Sequence, residues 1–501
     1  MSTAQSTRCT AVVLLLSLAV VLLLGTNVDA QQPAAHLPTL TPAQPASPAP
    51  LEATPAATAP GSAPPPIRLS DIEAGSAFDF MPHTPVTAGG LTEAHVVRKA
   101  LSESSRVRSA DAAAETARRR ADRAYAVFMP RVELSARYTR LSNVPVPASF
   151  RDFFPVLLDN YSLRAAVRVP VSDYFVSLRD RYDSAHRLQA VQDLQRRAEH
   201  HAVAHDARME YFQLARAMAA DSLSRHRVTQ LERFTAEIGI LVQGGELGIV
   251  SLALARSRLA TARAAAERDA ANRRVAEEVV RRRLALPLGA PVGIAEPLAA
   301  PAPEAPVDLT ALLHEADRKR PEVLALRELI SAHTHTRDAV AAGRYPTLSV
   351  VGDLAYENPN QRFMPPRDEF NGSWSIGAEL SWSPTDLAVR NDELDESRLA
   401  LTRAQQDLDG LRSAVIVEIT RAYEQTVSAT ASLKAYEEAV AAAEQAHEAQ
   451  LELFRAGETT SRQVLDAELD LRAAQLQWVD GVLAVHMAKA SLDRAVGREP
   501  R

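Results

Sequence analysis

Two long stretches without proline constrain the fold of this chain most strongly. Residues 171–286 and 385–499 contain no proline, in a sequence that has 31 of them. Both stretches are rich in Ala, Leu, Arg, Glu and Gln, the residues that lose least free energy on entering a helix. Glycine interrupts each one, at Gly244-Gly245 and at Gly457. The roughly 70 residues before each glycine predict a helix about 100 Å long. A compact enzyme has little use for such helices, so the pattern indicates a structure that spans a distance.

The two stretches belong to a repeat with a period of about 210 residues. An alternating segment led by proline begins at Pro130 and again at Pro346, and the glycines Gly245 and Gly457 keep nearly the same spacing. A solenoid needs at least about three repeats. Two copies instead predict a single body with two similar halves.

The N-terminus has the features of a secretory signal peptide. Arg8 precedes an apolar segment at residues 11–24, and small residues follow before Gln31. Such a segment is too short for a retained membrane span and is expected to be removed. The single cysteine, Cys9, lies in the predicted signal peptide ahead of this apolar segment, so the mature chain is expected to be free of cysteine and unlipidated. The predicted organisation is a signal peptide at 1–30, a Pro/Ala-rich linker and N-terminal segment at 31–90, a first repeat at 91–289, a Pro-rich link at 290–306 and a second repeat at 307–501.

Four segments alternate between apolar and polar residues. The predicted strands are residues 131–141, 161–169, 347–357 and 372–382. Each has about 9–11 residues, the length of a tilted strand that crosses a membrane. A period of two places apolar residues on a lipid face and charged residues on a water-filled lumen, although a soluble half-buried sheet alternates in the same way. The predicted lumen residues are Arg137, Arg164, Arg168, Asp353, Glu357 and Glu379.

Aromatic residues mark the ends of these segments. Four of them lie at the ends nearest the connecting loops, and Trp382 lies at the opposite end. Tyr and Trp prefer the interface between membrane and water, so they predict an aromatic girdle. The predicted girdle residues are Tyr138, Tyr161, Tyr356, Trp374 and Trp382.

Four strands are too few to close a barrel. A sheet in lipid cannot leave an open edge, and membrane barrels begin at about eight strands. The chain therefore has to share a barrel with other copies of itself, if the strands cross a membrane. The mature sequence has no apolar run approaching the 18 or more residues of a transmembrane helix.

Several short motifs, in order, make the chain resemble the TolC family of outer-membrane efflux proteins. The motifs are Val169-Pro-Val-Ser-Asp173, Leu284-Ala-Leu-Pro-Leu-Gly289, Arg320-Pro-Glu322, Gly343-Arg-Tyr-Pro-Thr-Leu-Ser349, Trp382-Ser-Pro-Thr-Asp386, Phe454-Arg-Ala-Gly457 and Gln463-Val-Leu-Asp-Ala-Glu468. The resemblance covers about residues 91–497. It implies a mixed α+β membrane protein that forms a homotrimer. In it a shared 12-strand β-barrel, four strands per chain, is continued by a long α-helical barrel in the periplasm. The alternative interpretation of the long helices is that they belong to an ordinary helical bundle.

The resemblance also implies where the functional residues lie. The glycine turns would be the periplasmic tips that meet an adaptor protein, formed by Gly245, Glu246, Leu247, Gly457, Glu458 and Thr459. Acidic residues just after these turns form the pore constriction in the family. Asp466 matches one such position, whereas Gln463 and Ser251 stand where acidic residues are frequent. Asp466 could equally be a solvated residue that interacts favourably with the helix dipole.

The sequence offers few candidates for catalysis or for metal and nucleic-acid binding. It has no nucleophile elbow, phosphate-binding loop or paired-cysteine motif, so neither an enzyme nor a cofactor is predicted. His201 and His205 are four residues apart on a helix, beside His200, but no third ligand is fixed, and a solvated helix face is the simpler interpretation. His333 and His335 form a second small group. Arginine clusters occur at residues 118–120 and 281–283, both in helical sequence. The net charge of the chain is −6, which argues against nucleic-acid binding.

Two functions remain. The first is the outer-membrane channel of a tripartite efflux or type I secretion system, a passive exit duct. In that family a periplasmic adaptor couples the duct to an inner-membrane pump, and the helical tunnel lies in the periplasm. The second is a periplasmic coiled-coil structural or adaptor protein without a barrel. The cargo, which could be a drug, a metal ion or a polypeptide, and the class of the pump are not encoded in any recognisable motif.

Overall fold

The computed structural model describes residues 86–143, 157–296 and 308–499. The predicted signal peptide and nearly all of the N-terminal linker lie outside the described residues. Most of the predicted link at 290–306 lies outside them as well. The account below concerns the described residues alone.

Helices dominate the described chain, and the same order of elements occurs in both halves. The first half contains β1 (Val86–Leu91), α1 (Glu93–Glu103), α2 (Ser105–Ala126), β2 (Arg131–Arg140), β3 (Asp159–Val169), α3 (Val171–Val176), α4 (Leu178–Gln243) and α5 (Ile249–Arg283). The second contains α6 (Leu309–Lys319), α7 (Pro321–Ala342), β4 (Thr347–Asn358), β5 (Asn371–Ser381), a 3₁₀ turn (Pro384–Asp386), α8 (Leu387–Arg455) and α9 (Ser461–Val496). Each half therefore runs through two helices, two strands, a very long helix and a returning helix.

The two long helices lie where the proline-free stretches predict them. Helix α4 has 66 residues and α8 has 69, so each is about 100 Å long at 1.5 Å per residue. Each folds back on its returning helix, α4 on α5 and α8 on α9. Among the described residues, none of the helices is both long and apolar enough to cross a membrane.

Glycine in the left-handed conformation ends both long helices. Gly245 has φ +82° and Gly457 has φ +77°. After each glycine the chain turns back, because the next amide bonds to a carbonyl of the last helical turn: Glu246 N–H to Leu241 O and Glu458 N–H to Leu453 O, both at 2.9 Å. This pair of caps satisfies carbonyls that a helix end would otherwise leave without partners, and glycine adopts the required φ without steric cost.

Three apolar clusters hold the helices together. The largest joins α1, α4, α5 and α9 around residues such as Leu214, Val280 and Val482, all fully buried. A second lies near the glycine turns and includes Ile238 of α4 and Leu465 of α9. The third joins α6, α7, α8 and α9. Since two of the clusters contain residues from both halves, the two halves form one integrated body.

The strands form one antiparallel sheet in the order β2-β3-β4-β5. The register of the strands places apolar and aromatic residues opposite each other: Tyr138 pairs with Tyr161, and Leu354 pairs with Trp374. On the apolar face most positions of one strand lie beside an apolar residue or a glycine of the next strand, as a period of two requires, and Tyr161 beside Asn358 is an exception. The observed strand ends differ from the predicted ones by one or two residues. Trp382, predicted inside the fourth strand, lies one residue beyond β5.

We expect Gly497→Ala to destabilise the fold more than Gly245→Ala. Both glycines have nearly the same positive φ, so alanine costs about 1–2 kcal/mol of backbone strain at either position. At position 497 the new Cβ would also lie 2.8 Å from Arg320 Cα, whereas at position 245 no atom lies within 4 Å of it. Helix α9 ends at this contact, so the backbone would have to shift, at a further cost of about 1–3 kcal/mol.

Thermal unfolding of the purified protein, followed by circular dichroism, measures this difference. Gly245→Ala is the matched control. Equal unfolding temperatures for the two variants would contradict the proposed role of the close approach between Gly497 and Arg320.

Candidate functional site

The two glycine turns lie together at one end of the described helices. Phe234 of α4 and Phe454 of α8 have ring centroids 5.4 Å apart, and both belong to the apolar cluster near the turns. Arg455 approaches Glu237 at 3.9 Å on the surface beside them. The six predicted tip residues therefore occupy two adjacent turns.

Exposed apolar residues at the tip were not predicted from the sequence. Ile249 and Val250, at the start of α5, are 74% and 77% exposed. Leu247, which the sequence placed among the contact residues, is half-buried and packs against the apolar cluster instead. The signal available in the sequence was the pair of β-branched residues after Gly248, in a stretch that otherwise reads as the start of an ordinary helix.

The predicted constriction residues lie in the first turns of the returning helices. Gln463 occupies the third position of α9 and completes a capping box, because its Oε1 accepts the Thr460 amide at 3.0 Å. Ser251 occupies the same third position in α5. Asp466 is half exposed and accepts a hydrogen bond from Arg258 Nη2 of α5 at 3.1 Å. The structure thus gives Gln463 a capping role, and it links Asp466 to the neighbouring helix.

Further along the helices, buried charges connect α4 to α9. Arg227 donates two hydrogen bonds to Glu468, at 2.7 and 3.0 Å, and their side chains are only 11% and 9% exposed. Beside this pair, Arg472 of α9 donates to Ser224 Oγ of α4 at 2.8 Å and lies 3.3 Å from Asp269 of α5. Burial lowers the pKa of Arg472 below its ordinary value, and the positive charge of Arg227 acts in the same direction.

This network was invisible to sequence reasoning because its partners are more than two hundred residues apart. When an arginine donates two hydrogen bonds to one carboxylate, the pair fixes the relative orientation of the two side chains and also balances their charges. The network therefore joins the first helical hairpin, α4 with α5, to the second, α8 with α9, at a defined register.

The charged residues of the sheet pair across its polar face. Glu357 accepts hydrogen bonds from Arg164 Nε and from Ser162 Oγ, both at 2.8 Å. Arg168 binds Glu379 through two hydrogen bonds of 2.9 and 3.1 Å. The other two predicted lumen residues lie on the same face, Arg137 opposite Ser162 and Asp353 opposite Ser375. All six thus lie on one face of the sheet.

The opposite face is apolar and exposed. Leu348 and Val350 on this face are 39% and 37% exposed, and several other large apolar side chains there are 56–77% exposed. They include Val132, Leu134, Leu163, Leu354, Ile376 and Leu380. A face of this kind is unfavourable in water, so it requires an apolar environment or another protein.

Aromatic rings border this face at its loop end. Tyr138 and Tyr161 have centroids 5.1 Å apart. Phe370, in the loop before β5, stacks on Tyr356 at 5.3 Å and lies 6.0 Å from Tyr161. The sequence missed Phe370 because it precedes the alternating segment. Trp374 lies at the same end, and Trp382 lies at the opposite end of the sheet.

Parts of this chain are similar in sequence to known outer membrane efflux proteins. Residues 312–498 match the family model described as outer membrane efflux protein. A stretch of 191 residues is 26% identical to the outer membrane protein TolC of Vibrio cholerae serotype O1, and covers 36% of this chain and 43% of that relative. The match thus spans less than half the length of that curated relative.

Solved structures extend the likeness beyond residues 312–498. The outer membrane protein VceC of Vibrio cholerae aligns over 82% of this chain and 97% of its own, with a TM-score of 0.69 at 17% identity. The open state of the outer membrane channel MtrE of Neisseria gonorrhoeae aligns over 81% of this chain and 89% of its own, also with a TM-score of 0.69, at 16% identity. At these identities the likeness shows the fold. The outer-membrane location predicted from the sequence agrees with these matches.

Three of the histidines considered as metal ligands, His200, His201 and His205, lie on α4 and are partly buried. Burial lowers the pKa of both His201 and His205 below the ordinary value of 6.5, and Arg494 also lowers that of His205. His200 Nε2 lies 3.8 Å from Asp111 on the neighbouring helix α2. The lowered pKa values of His201 and His205 favour neutral rings at these two positions in the folded protein.

We expect the free energy of unfolding to decrease as the pH falls below about 6.5. In the double variant His201→Gln/His205→Gln this decrease should be smaller than in the unmodified chain. Below that pH the unfolded chain takes up protons at these histidines more readily than the folded chain, so the free energy of unfolding decreases. Unfolding temperatures at pH 7.5 and pH 5.5 measure the effect. His226→Gln, which changes an exposed histidine of the same helix, is the matched control. A double variant with the same pH dependence as the unmodified chain would show that other groups are responsible.

Proposed function

We propose that this protein is the outer-membrane channel of a tripartite efflux or type I secretion system. It acts as a passive exit duct, and a periplasmic adaptor couples it to an inner-membrane pump. The observation that carries the proposal is the exposed apolar face of the four-stranded sheet, continued by helices about 100 Å long. No reaction is catalysed, because the work of transport is done by the pump.

The open edges of the sheet support a homotrimer. Within the described chain, β2 and β5 each have one strand neighbour, so each leaves a row of backbone groups without partners. In lipid those groups have to be paired, which requires β5 of one copy to bind β2 of the next. Three copies give a closed barrel of 12 strands, within the known range of membrane barrels. We also infer that the two halves of each chain arose by duplication.

The polar face of the sheet would line the lumen of this barrel. Arg164 with Glu357 and Arg168 with Glu379 form ion pairs that cancel much of each other's charge. Arg137 and Asp353 lie on the same face and contribute opposite charges. The lumen therefore carries both signs of charge, and the field that these charges focus in a narrow pore would bias which solutes pass.

The helical tips would form the entrance and the surface for the adaptor. The two adjacent turns, with Gly245, Glu246, Gly457 and Glu458, present exposed backbone and carboxylates. The exposed side chains of Ile249 and Val250 add apolar area of the kind that marks protein interfaces. Asp466, with Gln463 and Ser251 nearby, would lie at the constriction, where its bond to Arg258 reduces the negative charge facing the pore.

Opening of the entrance would require the two helical hairpins to move apart. The buried pair Arg227 and Glu468 opposes that movement, because it joins α4 of the first hairpin to α9 of the second. Separating the pair would leave two buried charges without partners unless water enters. In this proposal the network would stabilise a closed entrance.

Envelope fractionation tests the proposed channel most directly. The full chain is expressed with its signal peptide, the outer membrane is isolated, and the particle extracted with detergent is sized by light scattering. We expect an outer-membrane trimer. A monomer or dimer released in soluble form from the periplasm would instead indicate the structural or adaptor protein without a barrel.

A pair of arginine substitutions on neighbouring residues tests which face meets lipid. Ile376→Arg places a charge on the exposed apolar face, whereas Ser375→Arg places it on the polar face, opposite Asp353. In a lipid-facing position arginine costs about 2–4 kcal/mol near the bilayer midplane. We expect Ile376→Arg to reduce trimer assembly in the outer membrane and Ser375→Arg to assemble normally. Equal assembly of both variants would contradict a lipid-facing apolar surface.

Removing one buried charge tests the closed arrangement. Glu468→Gln would leave Arg227 buried without its carboxylate, and breaking such a pair costs about 3–5 kcal/mol. We expect a less stable closed entrance and therefore a higher mean conductance in planar lipid bilayers. Glu232→Gln is the matched control, because Glu232 pairs with Arg263 on the exposed surface of a single hairpin, where a pair is worth about 0–1 kcal/mol. The same low conductance in Glu468→Gln and the unmodified channel would argue against a gating role.

A further inference from the structure

Three potential metal ligands meet between α4 and α7. Asp180 and Asp183 lie in the first turns of α4, and His335 lies in the C-terminal half of α7. One ligand atom from each residue lies within 4.8 Å of the other two. His335 Nδ1 and Asp180 Oδ1 are 3.0 Å apart. All three side chains are partly buried, with exposed fractions of 28–35%.

Packing of the two helices fixes this arrangement. Asp180 and Asp183 are three residues apart, so they lie on the same face of α4. One residue along each helix, the Ser184 and Thr336 hydroxyls hydrogen-bond at 2.8 Å, and Ser184 is buried. This contact holds the two backbones in register directly beside the three ligands.

The donor set suits a divalent transition metal. One imidazole nitrogen and two carboxylate oxygens are ligands of Zn²⁺, which binds three protein groups and keeps a fourth position for water in open sites. Two carboxylates and a neutral imidazole carry a charge of −2, which balances a dication. The neighbouring Arg179, whose Nε lies 3.8 Å from Asp183 Oδ2, is 83% exposed and free to turn towards solvent. We propose that Asp180, Asp183 and His335 form a Zn²⁺-binding site.

The position of the site gives it a structural consequence. Helix α4 begins shortly after β3 ends, and α7 ends shortly before β4 begins. A bound ion would join these two helices close to the point where the sheet continues into the helical body. Zn²⁺ is therefore expected to stabilise that junction. This inference does not depend on transport activity.

The site could not be predicted from the sequence because its ligands are far apart along the chain. His335 forms a visible pair with His333, but the two carboxylates precede it by about 150 residues. The His200, His201 and His205 group, which is more conspicuous in the sequence, is not part of this cluster.

Zn²⁺ binding to the purified full chain tests the proposal. The protein, extracted in detergent and free of any polyhistidine tag, is titrated with Zn²⁺ by isothermal calorimetry after treatment with chelator. We expect one ion per chain at this site. Asp183→Asn and His335→Gln should each weaken binding by at least about 10-fold, since changes even to groups outside the ligand shell cost about 10–100-fold.

Two neighbours provide matched controls. His333→Gln changes a histidine two residues away on α7, and Asp193→Asn changes a carboxylate elsewhere on α4. Both should bind Zn²⁺ like the unmodified chain. Any weak binding by His36 or His83 in the N-terminal segment is common to every variant and does not affect the comparison.

A second measurement keeps the test decisive if a variant folds poorly. Zn²⁺ should raise the unfolding temperature of the unmodified chain, and a chelator should reverse the rise. The proposal is overturned if Zn²⁺ neither binds nor changes the unfolding temperature of the unmodified chain. It is equally overturned if the cluster variants and the controls bind with the same affinity.

Discussion

An exposed apolar sheet face with two open edges is the constraint on which the rest of this structure depends. Backbone groups at the edge of a sheet have strong unmet hydrogen-bonding capacity, and lipid offers no water to satisfy it. The residues around Leu134 and Ile376 cannot remain in water at low cost, and one chain cannot cover them with the elements described. In the proposed trimer both problems are solved at once, because lipid covers the face and neighbouring copies pair the edges.

The helical body faces a different problem, which is to remain ordered over about 100 Å with few apolar residues. Helices α4 and α8 have no strongly apolar face, so packing between hairpins has to supply the stability that a single amphipathic stripe would give. The three apolar clusters do this at intervals along the bundle. Between them, buried pairs such as Arg227 with Glu468 fix the register. Such a pair adds little net stability compared with an apolar contact, but breaking it is costly. It therefore favours one arrangement of the helices over others.

Much of the fold could be predicted because its signals are local. Alternation with a period of two located each strand to within one or two residues, since the side-chain direction of a strand follows from position alone. Absence of proline located the long helices, and glycines located both turns, because Gly245 and Gly457 adopt a left-handed conformation that other residues avoid. The trimer is expected only from the resemblance to the efflux family, because no local pattern encodes it. The positions assigned to the constriction and the adaptor surface remain proposals.

The sequence by itself determined the period, length and polarity of the elements, since these depend on neighbours within a few residues. Only the tertiary structure decided which distant residues meet. It placed Arg227 beside Glu468 and Asp180 beside His335, it gave Gln463 a capping role, and it left Ile249 exposed at the tip. The physical reason is that charge pairing, metal ligation and exposure depend on how the helices pack against each other. That register is fixed by contacts between residues one hundred or more positions apart.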